Sequence, residues 1–267
     1  MSKKSFAVLG DPISHSLSPI IHAAAYKHLN LDYDYEAIQV PAGSLEKFIN
    51  ESGSKYSGFS ITMPLKVEAA AFATYSELLG TGVCNTLVRN DVGFSGYNTD
   101  VYGIQMAAKS VIRNPVKSVA ILGSGATARS AVASALGIVG VTNISVFARD
   151  TDKAADLKEL VSGDEVSFGS SRLNEFTGGF DLTINTLPAG TANSLSITPN
   201  QTGFLLSAGY STVDSDFNNH FLSDHLIAGT EMLIWQAVQQ VKLFAGQNID
   251  FTAIDESALV DVMRQAL

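Results

Sequence analysis

A short glycine-rich segment has the residue types and spacing to hold a phosphate group. It reads Gly123-Ser124-Gly125-Ala126-Thr127-Ala128, which matches the pattern G-x-G-x-x-G/A. The first glycine permits a sharp turn, the second lets backbone amides approach a pyrophosphate, and the third small residue keeps the next helix close to its strand. The pattern is typical of a dinucleotide-binding loop, although an ordinary turn between a strand and a helix also produces it.

Charged residues about 20 positions after the glycine-rich segment help to determine whether NAD or NADP binds. At that point an acid bonds the ribose 2′-hydroxyl of NAD, whereas an arginine accommodates the 2′-phosphate of NADP. The sequence offers both, as Arg149 and Asp150, with Lys153 one turn later. Two cations favour NADP, because guanidinium–phosphate contacts are strong. Asp150 keeps NAD possible, or it caps a helix that begins at Thr151.

The elements around this loop predict a dinucleotide-binding domain of the Rossmann type. Strand, glycine-rich turn, helix and strand follow one another within about 30 residues, as in a βαβ unit. The predicted strands are 118–122, 143–148, 182–185 and 204–208, and the predicted helices are 126–136 and 151–160.

The first hundred residues alternate strand-like and helix-like segments as well. Strands are predicted at 6–9, 35–40, 58–63, 85–88 and 94–97, and helices at 19–29, 65–79 and from 100 to 109. An amphipathic helix is predicted at 231–245. We therefore expect an α/β fold of two domains with a cleft between them as the site. Residues 1–101 plus about 238–267 would form an N-terminal α/β substrate domain, and residues 102–237 the dinucleotide-binding domain.

Composition limits the classes of partner. The chain has 267 residues, 46% of them hydrophobic and 16% charged, and a formal net charge of −9. This balance argues against nucleic acid, which needs clustered lysine and arginine. No apolar run approaches a membrane span, and the apolar stretch 6–9 is too short for a signal peptide. The single cysteine, Cys84, gives no intrachain disulfide and is expected to be a small buried side chain rather than a nucleophile. We expect a cytoplasmic protein without nucleic-acid or membrane partners. The histidines lack metal-ligand spacing, so no metal is expected.

Five further motifs, in order and with the glycine-rich loop between the fourth and the fifth, resemble the shikimate dehydrogenase family, which includes quinate dehydrogenases. They are Ser14-His15-Ser16-Leu17-Ser18-Pro19, Ile61-Thr62-Met63-Pro64-Leu65-Lys66, Cys84-Asn85-Thr86, Gly96-Tyr97-Asn98-Thr99-Asp100 and Gly229-Thr230-Glu231-Met232-Leu233-Ile234-Trp235-Gln236. Each motif is short, but together they cover nearly the whole chain. The resemblance implies reversible NADPH-dependent reduction of 3-dehydroshikimate to shikimate, a step of aromatic amino-acid biosynthesis.

The resemblance also implies the roles of single residues. Lys66 and Asp100 would transfer the proton that the alkoxide formed by ketone reduction needs, a role suited to an ammonium beside a carboxylate. Ser16 and Ser18 would hold the substrate carboxylate, although Ser18 taken alone could be a helix cap. The other implied positions are Thr62, Asn85, Tyr210 and Gln236 for the substrate, and Gly229 beside Gly123, Ser124, Gly125, Ala126, Arg149, Asp150 and Lys153 for the cofactor.

The sequence departs from the family pattern at several positions. Leu65 replaces a common histidine, Ala126 replaces the second of two adjacent glycines, and Ala148-Arg149-Asp150 replaces the common Asn-Arg-Thr. Tyr210 lacks the usual neighbouring proline. The alternatives are a quinate/shikimate dehydrogenase that uses NAD, and a non-catalytic homologue that senses a ligand. Retention of both Lys66 and Asp100 argues against the second. We expect a monomer or a homodimer.

Overall fold

In the computed structural model, which describes residues 3–209 and 215–267, the chain builds two units. The first unit comprises Met1–Thr99 and Leu233–Leu267, and the second comprises Asp100–Met232. Each unit combines a six-stranded sheet with helices. The predicted α/β fold of two domains is thereby confirmed. The assignment of substrate and cofactor to residues 1–101 plus 238–267 and to residues 102–237 stays a prediction.

Twelve strands and eight α-helices lie within the described residues. The strands are β1 (Lys4–Gly10), β2 (Tyr33–Gln39), β3 (Gly58–Ile61), β4 (Ala73–Glu77), β5 (Thr86–Asn90), β6 (Gly93–Tyr97), β7 (Ser118–Leu122), β8 (Asn143–Ala148), β9 (Ser167–Arg172), β10 (Leu182–Asn185), β11 (Phe204–Ser207) and β12 (Leu226–Ile227). The helices are α1 (Ser18–His28), α2 (Leu45–Ser52), α3 (Thr99–Val111), α4 (Ala126–Leu136), α5 (Thr151–Asp156), α6 (Ser215–Asn218), α7 (Gly229–Ala245) and α8 (Glu256–Gln265). None of these helices is long and apolar enough to cross a membrane.

The sheet of the first unit is mixed, with the strand order β2-β1-β3-β5-β6-β4. Strand β1 runs parallel to β2 and β3, whereas β5 runs antiparallel to β3 and β6. Buried side chains of α1, α7 and α8 form one apolar core with Phe6 of β1, whose ring stacks on Phe244 of α7 at 4.4 Å between centroids. Because α8 comes from the end of the chain, both termini contribute to this unit.

The sheet of the second unit is entirely parallel, with the order β9-β8-β7-β10-β11-β12. Numbered from β7 as 1, this is the Rossmann order 3-2-1-4-5-6. The strand order reverses between β7 and β10, and ligands of such sheets bind beyond the carboxyl ends of the strands at that point. The second unit therefore has the architecture that the glycine-rich loop predicts.

One predicted helix is wrong. Residues 65–79 form a turn, a short 3₁₀-helix (Glu68–Phe72) and strand β4 instead of a continuous helix. The alanines at 69–71 suggested a helix, but Thr74 and Tyr75 favour an extended chain, and β4 pairs in parallel with β6. Tertiary pairing at the sheet edge outweighs the helix propensity of a few alanines.

Candidate active site

Four strand ends of the first unit bring the predicted substrate residues to one edge of its sheet. The carboxyl ends of the parallel strands β1 and β3 share that edge, and because β5 is antiparallel to both β3 and β6, its amino end and the carboxyl end of β6 lie there too. These ends carry Ser16 and Ser18 after β1, Thr62 and Lys66 after β3, Asn85 before β5, and Thr99 after β6.

Helix α1 begins at Ser18, with Pro19 in its first turn. The Ser18 N–H donates to Ser16 Oγ at 3.3 Å, so Ser16 rather than Ser18 accepts from the start of the helix. The alternative that Ser18 caps this helix is therefore wrong. The buried Ser18 hydroxyl instead forms a hydrogen bond with the Tyr35 phenol.

The turn that carries Thr62 and Lys66 is held on both sides. The Thr62 N–H donates to Leu9 O at 2.9 Å, and Lys66 O accepts from the Cys84 N–H at 2.9 Å. Leu65, which stands where relatives have histidine, is fully buried and anchors the turn in the core. Lys66 is half-buried and precedes the 3₁₀-helix, so it does not begin a helix as the sequence suggested.

Asn85 and Gln236 are joined through Thr99. Asn85 Nδ2 donates to Thr99 Oγ1 at 2.9 Å, and Asn85 Oδ1 accepts from the Thr99 N–H at 2.8 Å. Thr99 Oγ1 donates to Gln236 Oε1 at 3.4 Å. All three residues are buried, so the two predicted substrate amides are fixed by their own neighbours before any ligand binds.

Gln240, one turn further along α7, links this group to the rest of the edge. Its Nε2 donates to Thr86 Oγ1 at 2.9 Å and to Asn85 O at 3.3 Å. Its Oε1 accepts from Ser60 Oγ at 2.8 Å and lies 3.2 Å from His22 Nε2. The donors and the acceptor of the buried Gln240 amide are all hydrogen-bonded, and their partners belong to other elements. Gln240 therefore fixes α7 against β3 and β5.

A continuous series of hydrogen bonds follows from these contacts. The Tyr35 hydroxyl donates to Ser60 Oγ at 2.6 Å, and Thr86 Oγ1 donates to Asn85 Oδ1 at 2.9 Å. We use the term polar network for its members, which are Ser18, Tyr35, Ser60, Gln240, Thr86, Asn85, Thr99 and Gln236. The network joins the serine predicted for the carboxylate to both amides predicted for the ring hydroxyls.

The titratable side chains of His22 and Cys84 in the first unit are buried in their neutral forms. Burial lowers the pKa of His22 to about 3, although its hydrogen bond with Gln240 opposes the shift. The His22 ring also stacks on Tyr35 at 4.0 Å. Burial raises the pKa of the Cys84 thiol to about 11, which makes this side chain a poor nucleophile and agrees with its predicted structural role.

Asp100 directly follows Thr99 in the chain and is the first residue of the second unit. It lies in the first turn of α3 and is buried. Asp100 therefore occupies a helix start, as predicted, where the positive end of the helix dipole favours a carboxylate.

The glycine-rich loop of the second unit has the geometry of a phosphate cradle. Gly123 has a φ of +113°, and a Cβ there would lie 2.6 Å from Thr186 Oγ1 at the end of β10. A Cβ on Gly125 would meet nothing within 4 Å, so the space in front of the loop is open. Gly125 begins α4 without a capping side chain, which leaves the first-turn amides directed at that space. These features fit a dinucleotide pyrophosphate.

Of the charged residues after β8, Asp150 and Lys153 interact with each other, whereas Arg149 does not take part in that pair. Asp150 caps α5, since its Oδ1 accepts from the Lys153 N–H at 3.0 Å, and its Oδ2 lies 3.3 Å from Lys153 Nζ. The hydrogen bond from the Lys153 N–H and the nearby ammonium lower the pKa of the Asp150 carboxyl. The capping role considered for Asp150 is thereby confirmed. Arg149 instead lines a surface pocket of about 440 Å³.

The remaining predicted positions are distributed as follows. Gly229 lies where a Cβ would overlap the carbonyl oxygens of Ser207 and Gly209, so only glycine fits at the start of α7. Tyr210 lies outside the described residues. Within 3–209 and 215–267, no group of three His, Cys, Asp or Glu side chains is placed to hold a metal ion.

Three residues near these sites, Thr99, Gln240 and Arg172, are not predicted by the sequence patterns. Thr99 lies in the motif Gly96-Tyr97-Asn98-Thr99-Asp100, and its place directly before Asp100 could have indicated a role in the site. Gln240 falls on the face of α7 shared with Gln236, four residues earlier, which a helix places one turn apart. Arg172 ends β9, a strand without an apolar pattern, so only the count of strands in a Rossmann sheet could have pointed to it.

Comparison with known proteins gives consistent matches along the chain. The family model described as the shikimate dehydrogenase substrate binding domain matches residues 8–87. The chain is 30% identical to a shikimate dehydrogenase (NADP(+)) of Nitrosopumilus maritimus, over 96% of this chain and 98% of that protein. Among solved structures, the Mycobacterium tuberculosis shikimate dehydrogenase has a TM-score of 0.80 and 32% identity, covering 99% of this chain and 100% of the other. A Thermus thermophilus shikimate 5-dehydrogenase in complex with NADP(H) and shikimate has a TM-score of 0.77 and 26% identity, covering 99% and 100%.

Proposed function

The chain belongs to the shikimate dehydrogenase family, and from this premise we propose that it catalyses the reversible NADPH-dependent reduction of 3-dehydroshikimate to shikimate in aromatic amino-acid (chorismate) biosynthesis. The observation that carries the proposal is the edge of the first sheet, where the polar network orders Ser18, Asn85 and Gln236 beside the turn of Lys66. A sheet edge with fixed hydroxyl and amide groups suits a small polyhydroxylated acid.

The second unit fits NADP. Gly123, Ser124, Gly125 and Ala126 would hold the pyrophosphate at the open start of α4, and Arg149 would face the 2′-phosphate. NADP, when bound, supplies or accepts the hydride. Asp150 would not bond a ribose 2′-hydroxyl as in NAD enzymes, because its carboxylate caps α5 and pairs with Lys153.

Lys66 and Asp100 take part in the proton transfer that accompanies hydride transfer. Ketone reduction leaves an alkoxide, and the Lys66 ammonium donates the proton that converts it to the hydroxyl. In the reverse direction the neutral amine takes that proton back. The Asp100 carboxylate accepts a hydrogen bond from the substrate hydroxyl. The turn around Lys66, held by Leu9 and Cys84, fixes the backbone from which the amine extends.

The remaining side chains select the substrate. Ser16 and Ser18 hold the carboxylate at the start of α1, where the helix dipole favours an anion. Thr62, Asn85 and Gln236 hydrogen-bond the ring hydroxyls, with Tyr210 as a further contact. An analogue without one of these hydroxyls would lose a hydrogen bond to a preordered side chain, which is a basis for discrimination.

The wider properties follow the same proposal. Residues 1–101 plus about 238–267, together with Gln236, bind the substrate, and the rest of residues 102–237 bind the cofactor. The enzyme acts in the cytoplasm as a monomer or homodimer on a small molecule, without a nucleic-acid or membrane partner. The formal net charge of −9 supports the exclusion of nucleic acid.

A spectrophotometric assay of the purified chain tests the function. Oxidation of shikimate should produce reduced nicotinamide absorbance with NADP, more slowly with NAD, and more slowly still with quinate in place of shikimate. Absence of turnover with any of the four combinations would refute the proposal. Faster turnover with NAD or with quinate would instead favour the dual-specificity quinate/shikimate enzyme.

A further inference from the structure

The pocket beside Arg149 is also lined by a second arginine, which no sequence motif indicates. Arg172 is the last residue of β9 and pairs with Ala148, the residue before Arg149, in the parallel register of β8 and β9. Both side chains line the pocket of about 440 Å³. The pocket thus lies beyond the carboxyl ends of two neighbouring strands, on the edge of the second sheet that also carries the glycine-rich loop.

The two arginines place uncompensated positive charge in this pocket. Among the residues that the structure describes, neither arginine takes part in an ion pair. Two guanidinium groups that line one pocket carry like charges, so the pocket favours a ligand that carries two negative charges at neutral pH. A phosphate monoester has that charge and presents oxygens to the fork of each guanidinium.

The lysine predicted as the second cation is engaged elsewhere. Lys153 pairs with Asp150 at 3.3 Å, and neither residue belongs to the described lining of the pocket. Neutral polar groups of Thr151, Asn174 and Ser194 line it instead. The cations that face the pocket therefore come from the ends of two strands rather than from the helix after β8.

We propose that Arg149 and Arg172 together bind the 2′-phosphate of NADP, and that Arg172 rather than Lys153 is the second cation of this subsite. The inference rests on the proposed NADP-dependent function and extends it to a residue that determines cofactor specificity. It also explains how the sequence Ala148-Arg149-Asp150 serves NADP without the common Asn-Arg-Thr. The Asp150 carboxylate, which would repel a phosphate, is paired with Lys153. Arg172 at the end of β9 supplies a phosphate contact in place of those from the common Asn-Arg-Thr.

Calorimetric titration with two nucleotides tests the inference without catalysis. Wild-type chain should bind adenosine 2′,5′-bisphosphate more tightly than adenosine 5′-monophosphate. Arg172→Gln should weaken binding of the bisphosphate about 10- to 100-fold, the usual effect of losing a charge-assisted contact, and leave binding of the monophosphate unchanged. Lys153→Gln removes a cation outside the pocket together with the ion pair that neutralises Asp150, so it should weaken binding of the bisphosphate less than Arg172→Gln does and leave binding of the monophosphate unchanged. Arg172→Lys should recover only part of the loss, because an ammonium lacks the fork geometry.

Three results would overturn the inference. In the first, the wild-type chain binds the bisphosphate no more tightly than the monophosphate. In the second, the Arg172→Gln chain binds the bisphosphate with wild-type affinity. In the third, Lys153→Gln reduces the affinity for the bisphosphate as much as Arg172→Gln does. Circular dichroism of each variant shows whether the fold is retained, and an Arg172→Gln chain that lost its fold would be replaced in the comparison by Arg172→Lys. Failure of the proposed function is distinguishable, since a chain that prefers the bisphosphate but does not oxidise shikimate contradicts only that function.

Discussion

At the scale of single residues, the proposed chemistry depends on a proton held by Lys66. Lys66→Met keeps the length of the side chain but removes its ammonium. We expect kcat to fall about 10²- to 10⁴-fold, the usual contribution of general acid–base catalysis, while the dissociation constant of shikimate changes little. Steady-state kinetics with NADP and calorimetric titration of shikimate measure the two quantities.

A matched control for this variant is Lys55→Met, which removes an exposed ammonium at the end of a short 3₁₀-helix in the same unit. It should leave both quantities unchanged. Unimpaired turnover by the Lys66→Met chain would remove Lys66 from the mechanism. The role would then pass to another proton donor, with Asp100→Asn as the next variant to assay.

His22 makes the stability of the first unit depend on pH. Its pKa is about 3 in the folded protein, because burial disfavours the charged ring, against 6.5 for an unperturbed histidine. Below pH 6.5 the unfolded chain binds a proton that the folded chain does not, so stability falls as the pH is lowered from 6.5 towards 3. Between pH 6.5 and 4.5 this single group should cost roughly 2 to 3 kcal/mol.

Urea unfolding at several pH values measures this contribution. His22→Gln removes the titratable ring, so its deficit in stability relative to the wild type should shrink as the pH falls. The exposed His28 offers a control, and His28→Gln should follow the wild-type profile through this range. A constant difference between the His22→Gln and wild-type curves would contradict the buried neutral histidine.

At the scale of elements, Gln240 fixes α7 against β3 and β5. Gln240→Leu keeps a buried side chain of similar size but removes the bonds to Ser60, Thr86 and Asn85 O. Asn85 and Ser18 are then no longer linked through the hydrogen bonds of Gln240. We therefore expect the KM for shikimate to rise about tenfold, while the KM for NADP stays unchanged. Thermal unfolding should show a lower Tm as well.

Because a purely structural role would alter both KM values or neither, the split between them is the decisive measurement. Gln239→Leu changes the neighbouring, half-buried glutamine of the same helix and serves as the matched control. Equal effects of the two variants on shikimate, or an equal effect of Gln240→Leu on both ligands, would remove Gln240 from the positioning of the substrate.

Elements with strong local patterns were predictable from the sequence. Helix α4 and strand β8 have the predicted bounds, because a glycine turn precedes the first and an apolar core pattern marks the second. Strand β9 has the sequence Ser-Phe-Gly-Ser-Ser-Arg and lies at the sheet edge, where no alternation of apolar residues is needed. The site shows the same division. The sequence motifs indicate Asn85 and Gln236, but only packing reveals that Gln240 links Asn85 to Ser60 of β3, since the hydrogen bonds of a glutamine cannot be read from its position in a helix.

At the scale of the whole molecule, the first unit needs both ends of the chain. Buried Ile21 and Tyr26 of α1 share one core with Leu259, Val260 and Met263 of α8. Removal of residues 256–267 should therefore expose that core and unfold the first unit, while the contiguous residues 100–232 keep their fold. Hydrogen exchange followed by peptide mass spectrometry would show protection lost outside residues 100–232 and retained within them. Protection retained or lost throughout would contradict this division.

The covalent path through the two units also sets an order for folding during synthesis. A ribosome releases residues 100–232 in one uninterrupted stretch, and their parallel sheet is complete before α7 has emerged. The first hundred residues must wait for α7 and α8, which are synthesised after residues 100–232. The nascent chain would thus carry a folded second unit attached to an unfolded amino-terminal segment, and that segment would expose the apolar surface that chaperones bind.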